Sequence, residues 1–272
     1  MATAASPDPA RRPRAEEDSG AAMSFFDHLV ELRKRIISAL LAIGVGMVAG
    51  LAVARRLIDI IVQPMRIALR ANHLEDTLYY THPAGFVSFY ITLGLYVGLV
   101  LAMPWVLYQI WLFVAPGLYK HERRATASFI VSAMLLFICG IAVGYFGLLP
   151  LVLTKVIGFS LGGPIKPLIT LDEYFSLILV VLVGLGVIFE MPVVVFILSL
   201  FGIVTPRFLL KNFRYAMLII TILAAIVTPS PDATTMLIFM APMIVLYFIS
   251  VLVSYVVLRR KRARKLAEGE AD

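Results

Sequence analysis

Residues 174–206 run YFSLILVVLVGLGVIFEMPVVVFILSLFGIVTP and contain a single charged side chain, Glu190. A helix of about 20 residues crosses the roughly 30 Å hydrocarbon core of a bilayer, and a charge at its centre costs about 2.5–3.5 kcal/mol on insertion scales. A nearly uncharged stretch of 33 residues is long enough to cross that core with room to spare. The stretch therefore predicts a membrane span that holds one acid near its middle.

The rest of the chain repeats this pattern. It has 272 residues, of which 61% are hydrophobic and 15% charged, whereas soluble domains have about 25% charged residues. This composition excludes most soluble enzymes. Five further stretches carry no Lys, Arg, Asp or Glu: 36–54, 84–119, 125–154, 215–231 and 233–258. We predict an all-α, polytopic integral membrane protein with six transmembrane helices.

The fifth predicted span is short. Residues 215–227 number 13 before the turn TPSPD at 228–232, and as a helix they measure about 20 Å, less than the bilayer core. Helices 5 and 6 are therefore predicted to form a short hairpin beside which the bilayer thins.

The distribution of Lys and Arg sets the orientation. Taking alternate connecting segments together, one side of the membrane holds 18 of these residues and the other holds 6. Because Lys and Arg accumulate in cytoplasmic segments, both termini are predicted to be cytoplasmic. The resulting domains are a disordered cytoplasmic arm (1–22), a six-helix transmembrane domain (23–258) and a basic cytoplasmic tail (259–272). The tail is expected to lie against anionic lipid, not nucleic acid.

Residues typical of catalysis are missing from the sequence. There is one cysteine, the four histidines are far apart, and neither a phosphate-binding glycine loop nor a nucleophile elbow occurs. We expect no metal, no cofactor and no enzymatic reaction.

Glu190 is the most unusual side chain, because 16 residues of its stretch precede it and 16 follow it. At that depth a carboxyl group is neutral, paired, or faces water. Two interpretations stay open: a polar binding point or proton carrier, and a protonated structural residue bonded to a neighbouring helix. Pro192 removes a backbone donor two residues later and is expected to open the helix locally.

Glu31 and Glu122 lie at the predicted cytoplasmic edge, each directly before cations. Glu31 precedes Arg35 by four residues, the spacing of an intrahelical ion pair, and Glu122 stands near the start of helix 3, where the helix dipole favours an acid. On physical grounds alone, both acids have an ordinary structural interpretation.

Two sequence motifs resemble those of a known protein family. Residues 28–35, HLVELRKR, and residues 111–124, WLFVAPGLYKHERR, resemble the TatC family, the multispanning core of the twin-arginine protein translocase. Further matches are Tyr145-Phe146 with Pro150, the FEMP motif at 189–192, and Thr228-Pro229 with Pro231-Asp232. The resemblance covers about residues 24–258.

The resemblance implies a cupped, glove-like six-helix protein in the bacterial cytoplasmic (inner) membrane. It implies a receptor that binds twin-arginine signal peptides and, with the single-span subunits TatA and TatB, exports folded proteins using the proton-motive force. Self-association in a receptor complex is also implied.

The resemblance also implies two sets of site residues. The set expected to bind the signal peptide is Glu122, Glu31, Phe113, Arg33 and Tyr119. The set expected to form an intramembrane polar or partner site is Glu190, Pro192, Asp232 and Pro64, the last in the first external loop. Met236 stands where some members of the family have a glutamine.

Two other functions remain as alternatives. One is a proton-coupled small-solute secondary transporter that uses Glu190, although no inverted repeat supports it. The other is a structural scaffold for membrane proteins.

Overall fold

The fold consists of helices joined by short connections. The computed structural model describes residues 25–114, 123–161, 168–228, 232–267 and 269 of the chain, and the following account concerns these residues. The elements are α1 (Phe25–Ala71), α2 (Gly85–Val114), α3 (Arg123–Ala142), a π-helical turn (Val143–Leu148), α4 (Leu149–Ser160), α5 (Leu171–Phe189), α6 (Met191–Leu200), α7 (Pro206–Lys211), α8 (Phe213–Val227) and α9 (Ala233–Ala267).

The all-α prediction is confirmed. Within the described residues, five helical runs are long and apolar enough to cross a membrane: 29–71, 85–113, 130–160, 171–200 and 233–263. The third run joins α3 to α4 through the π-helical turn, and the fourth joins α5 to α6. The predicted short helix is α8, whose 15 residues measure about 22 Å.

Glycine residues allow α1 and α2 to pack with their backbones in contact. A Cβ atom placed on Gly46 would lie 3.1 Å from the Cβ of Ala102, and one placed on Gly50 would lie 2.8 Å from the Cα of Gly98. A Cβ on Gly94 would lie 2.8 Å from the Cα of Leu51. The two backbones are therefore in contact, as small residues four apart predict for membrane helices.

The prediction that Pro64 lies in a loop is wrong. Pro64 is buried inside α1, which continues to Ala71. A proline has no N–H to donate to the carbonyl four residues earlier, which here is Ile60. The hydroxyl of Tyr145 donates to that carbonyl instead, at 2.5 Å, and so the helix can pass through the proline.

Backbone hydrogen bonds join the loop before α2 to the loop before α5. The backbone N–H of Tyr79 donates to Ile169 at 3.2 Å, and that of Leu171 donates to Tyr79 at 2.7 Å. Directly beneath, the rings of Phe89 and Phe175 pack edge to face with centroids 4.8 Å apart. These contacts fix the starts of α2 and α5 relative to each other.

Candidate functional site

The carboxylate of Glu31 has one paired and one unpaired oxygen. Oε1 accepts a hydrogen bond from the guanidinium of Arg35 at 3.0 Å, the i, i+4 pair that the spacing predicts. Oε2 is buried and has no hydrogen-bond partner among the described residues. The side chain is only 17% exposed, so a donor that reaches Oε2 meets an acceptor already shielded from water.

Arg35 is held in turn by α2. Its Nη1 donates to Oε1 of Gln109 at 3.4 Å, and Nε2 of Gln109 donates to the hydroxyl of Ser38 at 2.8 Å. The indole Nε1 of Trp105 donates to the same hydroxyl at 3.2 Å. This polar clamp, formed by Glu31, Arg35, Ser38, Trp105 and Gln109, fixes where the Glu31 carboxylate lies.

Phe113 lies on the clamp side of α2. Trp105, Gln109 and Phe113 follow one another at four-residue spacing, which places them on one face of the helix. Phe113 is partly buried and lies four residues beyond Gln109, just over one turn, and Glu31 lies the same distance beyond Arg35 on α1. The two residues thus mark the same end of the α1–α2 pair.

Other predicted members of the signal-binding set are not brought to this place. Arg33 is exposed, and the described residues include no ion-pair partner for it; two positions from Glu31 on a helix, it points to a different face. Glu122 and Tyr119 lie outside the described residues. The structure therefore places Glu31 and Phe113 at the same end of the α1–α2 pair and leaves Arg33 on another face of α1.

Glu190 separates α5 from α6. The helix breaks at this residue, and Pro192 occupies the first turn of α6, so the predicted opening at the proline is confirmed. Glu190 is 9% exposed, and neither of its carboxylate oxygens has a hydrogen-bond partner among the described residues. The bond to a neighbouring helix, which the structural interpretation of Glu190 required, is therefore absent among the described residues.

Asp232 and Pro64 have local structural roles. Oδ1 of Asp232 accepts from the backbone N–H of Thr235 at 2.7 Å, which caps the start of α9. Pro64 lies 33 residues after Glu31 on α1, about 50 Å away along a helix. The members of the intramembrane set therefore lie on different elements, with Glu190 and Pro192 at the break between α5 and α6, Asp232 at the start of α9 and Pro64 within α1.

Sequence reasoning missed the parts that Ser38, Trp105 and Gln109 play in the polar clamp. One signal was present, because Gln109 is the only amide side chain in the uncharged stretch 84–119. A lone amide in an apolar helix marks a position where a hydrogen-bond partner is needed. In the described part of the chain, no three His, Cys, Asp or Glu side chains lie close enough to hold a metal ion.

Comparison with known proteins gives a consistent result. The family model described as "Sec-independent protein translocase protein (TatC)" matches residues 27–242. The chain is 42% identical over 265 residues to the Sec-independent protein translocase protein TatC of Koribacter versatilis, covering 97% of each chain. It is 34% identical to TatCy of Bacillus subtilis, covering 92% of this chain and 96% of that one.

The fold agrees with a solved structure. A crystal structure described as the twin arginine translocase receptor TatC matches with a TM-score of 0.74 and 32% sequence identity, covering 85% of this chain and 99% of that one. Family model, relatives and fold all extend over most of the protein. The chain belongs to the TatC family of Sec-independent protein translocase proteins, and it is a non-enzymatic, multi-pass membrane component of the twin-arginine translocase.

Proposed function

We propose that this protein is the core signal-peptide receptor of its translocase and binds the twin-arginine signal peptides of folded cargo. The observation that carries the proposal is the state of Glu31, which has one oxygen engaged by Arg35 and a second, shielded oxygen without a partner. An arginine guanidinium is a rigid fork of donors suited to a carboxylate, and a lysine ammonium does not match that geometry. A shielded acceptor held in place by a clamp suits this kind of discrimination.

Two arginines in the peptide call for two acceptors. Glu31 supplies one, and Glu122 is proposed as the second because it lies in the motif HERR shared with the family. Arg33 and Tyr119 remain proposed contacts on the same grounds.

The ion pairs do not supply all the affinity. An exposed ion pair contributes only about 0–1 kcal/mol. Burial of apolar area contributes about 25 cal/mol per Å², so a few hundred Å² of signal peptide along α2 would exceed the ion pairs. Phe113 and the exposed face of Trp105 offer such a surface beside the clamp. In this arrangement the arginines set identity and register, and the apolar part sets strength.

The orientation, the membrane, the partners and the energy source complete the proposed function. We infer that both termini are cytoplasmic, because Lys and Arg are concentrated on the clamp side, and that the membrane is the bacterial inner membrane, because the relatives are bacterial translocase proteins. TatA and TatB are the proposed partners, self-association is expected in the receptor complex, and the proton-motive force is the proposed energy source.

Glu190 is proposed as a polar contact point inside the membrane for a partner or the signal peptide. Its unpartnered carboxylate at a helix break supports this role. Membership of a protein-translocase family favours protein transport over the alternative of small-solute transport.

Site-specific photocrosslinking tests the receptor proposal. A crosslinker at Ile110, which is exposed beside Gln109, should capture a signal peptide that carries two arginines. The same peptide with two lysines should give several-fold less product. A crosslinker at Leu237, exposed near the start of α9, is the matched control and should give none with either peptide. Equal capture of both peptides at position 110 would contradict the proposal.

A further inference from the structure

Three cations lie where α7 meets α8. This α7–α8 corner, residues 207–214, runs RFLLKNFR. It is packed on α9, because the hydroxyl of Tyr247 donates to the carbonyl of Leu209 at 2.7 Å and the rings of Phe213 and Tyr247 lie 5.8 Å apart. The cations of the corner are Arg207, Lys211 and Arg214.

Along the axis of α9, the α7–α8 corner lies well before the basic end of that helix. Tyr247 precedes Arg259 by 12 residues, which is about 18 Å along a helix. The length of α8 agrees, since its 15 residues span about 22 Å where the bilayer core needs about 30 Å. A flat leaflet whose surface met Arg259 would therefore place the corner within hydrocarbon.

The corner lacks protein anions. Arg207, Lys211 and Arg214 are exposed, and none forms a salt bridge with a described residue. Arg214 donates to the hydroxyl of Tyr215 at 3.1 Å and lies 4.8 Å from the centroid of that ring, which leaves its charge uncompensated. Between residues 191 and 267 the sequence has one acid, Asp232, and it lies at the opposite end of α9.

Exposed apolar side chains alternate with these cations. Basic residues interleaved with exposed aromatic and aliphatic residues are typical of segments at the boundary between lipid headgroups and acyl chains. A soluble anion would neutralise the cations and leave the apolar side chains in water, whereas a phospholipid presents a phosphate and acyl chains in one molecule. The exposed apolar residues are Phe208, Leu210, Phe213 and Tyr215.

We propose that the α7–α8 corner binds an anionic phospholipid of the cytoplasmic leaflet. Its phosphate contacts Arg207, Lys211 and Arg214, and its acyl chains run along α8 towards the bilayer centre. The headgroup of this lipid thereby lies closer to the bilayer midplane than the headgroups of the surrounding lipids. Its phosphate pairs with the three cations, which lie at that depth because α8 is short. The basic end of α9 is not part of this site, and its Lys261 already donates to the carbonyl of Leu200.

Native mass spectrometry of the full-length protein tests the site. The protein is released from vesicles with equal amounts of phosphatidylglycerol and phosphatidylcholine, and the retained lipids are counted. We expect the wild type to retain phosphatidylglycerol preferentially. The triple variant Arg207→Gln/Lys211→Gln/Arg214→Gln should lower that preference about tenfold, because each basic contact attracts anionic lipid.

A second triple variant separates a site from general positive charge. Arg259→Gln/Arg260→Gln/Arg262→Gln removes the same charge from exposed positions on α9. These tail cations attract the anionic leaflet as a whole, and a lipid attracted in that way is not held through release from the vesicle, so the preference among the retained lipids should change less than twofold. Equal losses in the two triple variants, or no loss at the corner, would overturn the proposal. Displacement of the lipid by soluble glycerol phosphate would also overturn it, since it would indicate a plain phosphate site. Should the corner variant fail to fold, Lys211→Gln alone, expected to cause a smaller loss in the same direction, decides the question.

Discussion

The hydroxyl of Tyr145 donates to the backbone carbonyl of Ile60 at 2.5 Å, and Ile60 is the residue whose helical partner would be the missing N–H of Pro64. Tyr174 donates to the next carbonyl, that of Ile61, also at 2.5 Å. Tyr145 lies in the π-helical turn and Tyr174 in the first turn of α5. Tyr145 thus replaces the hydrogen bond that the proline removes, and the two tyrosines, which come from different helical runs, tie the second half of α1 to the bundle.

This relationship predicts a coupled pair of mutations. Tyr145→Phe leaves the Ile60 carbonyl without a donor and should lower the free energy of unfolding by about 1–3 kcal/mol. In a Pro64→Ala background the restored N–H can bond that carbonyl, so Tyr145→Phe should cost less than about 1 kcal/mol. Unfolding in mixed detergent gives the free energy of unfolding for the wild type, the two single variants and the double variant.

Tyr90 provides the control for that cycle. Its hydroxyl donates to the carbonyl of Leu51 at 2.7 Å, and the residue four positions after Leu51 is Arg55, which has an ordinary N–H. Tyr90→Phe should therefore be additive with Pro64→Ala. A coupling of the same size for Tyr90 and Tyr145 would show that the proline is not the cause.

The glycine contact between α1 and α2 predicts a position-specific effect. Gly50→Val would place a side chain against the backbone of Gly94 and Gly98, and overpacking of this kind costs about 1–3 kcal/mol. Gly44→Val is the matched substitution, since no atom lies within 4 Å of a Cβ at Gly44. Only Gly50→Val should lower the thermal stability and move the clamp residues of α1 away from those of α2. Equal effects of Gly50→Val and Gly44→Val would refute close packing at Gly50.

Gln109 is expected to act on signal binding through Arg35. Gln109→Leu keeps the volume but removes the bonds to Arg35 and Ser38. At about 0.5–1.5 kcal/mol for one net hydrogen bond, the affinity for a labelled twin-arginine peptide should fall about 2- to 10-fold. Thr92→Val, in the first half of α2, should leave that affinity unchanged. Fluorescence anisotropy with the purified protein gives both values, and identical affinities for the two variants would remove Gln109 from the site.

Glu190 should matter for export more than for folding. Glu190→Leu removes a buried carboxyl group that has no described partner, so stability should stay the same or rise by about 1 kcal/mol while export is lost. Glu190→Gln keeps hydrogen-bonding capacity and should retain more export than Glu190→Leu. Equal loss of export in the two variants would assign proton carriage to this residue instead of polar binding.

The spans were predictable because the cost of a buried charge is large and local. The break at Glu190, the short α8 and the pairing of Glu31 with Arg35 each follow from a few neighbouring residues. The end of α1 did not follow, because Arg55 and Arg56 interrupt the uncharged stretch but not the helix, which continues to Ala71. Pro64 strengthened that error, since the tyrosines that accommodate it come from distant parts of the chain.

The polar clamp was not predictable for a related reason. Contact between Gln109 and Arg35 depends on the register of α2 against α1, which the glycine contacts set. The spacing within either helix gives no information on that register. A lone amide signalled that a partner was needed without indicating which residue supplies it.

The most direct test of the receptor account is the dependence of peptide discrimination on Glu31. Affinities are measured for peptides with two arginines or two lysines, each with the wild type and with Glu31→Gln. We predict that the wild type prefers arginine about tenfold or more, as expected for a shielded, charge-assisted pair, and that Glu31→Gln loses most of this preference. A Glu31→Gln protein that kept the full preference for arginine would contradict the central claim.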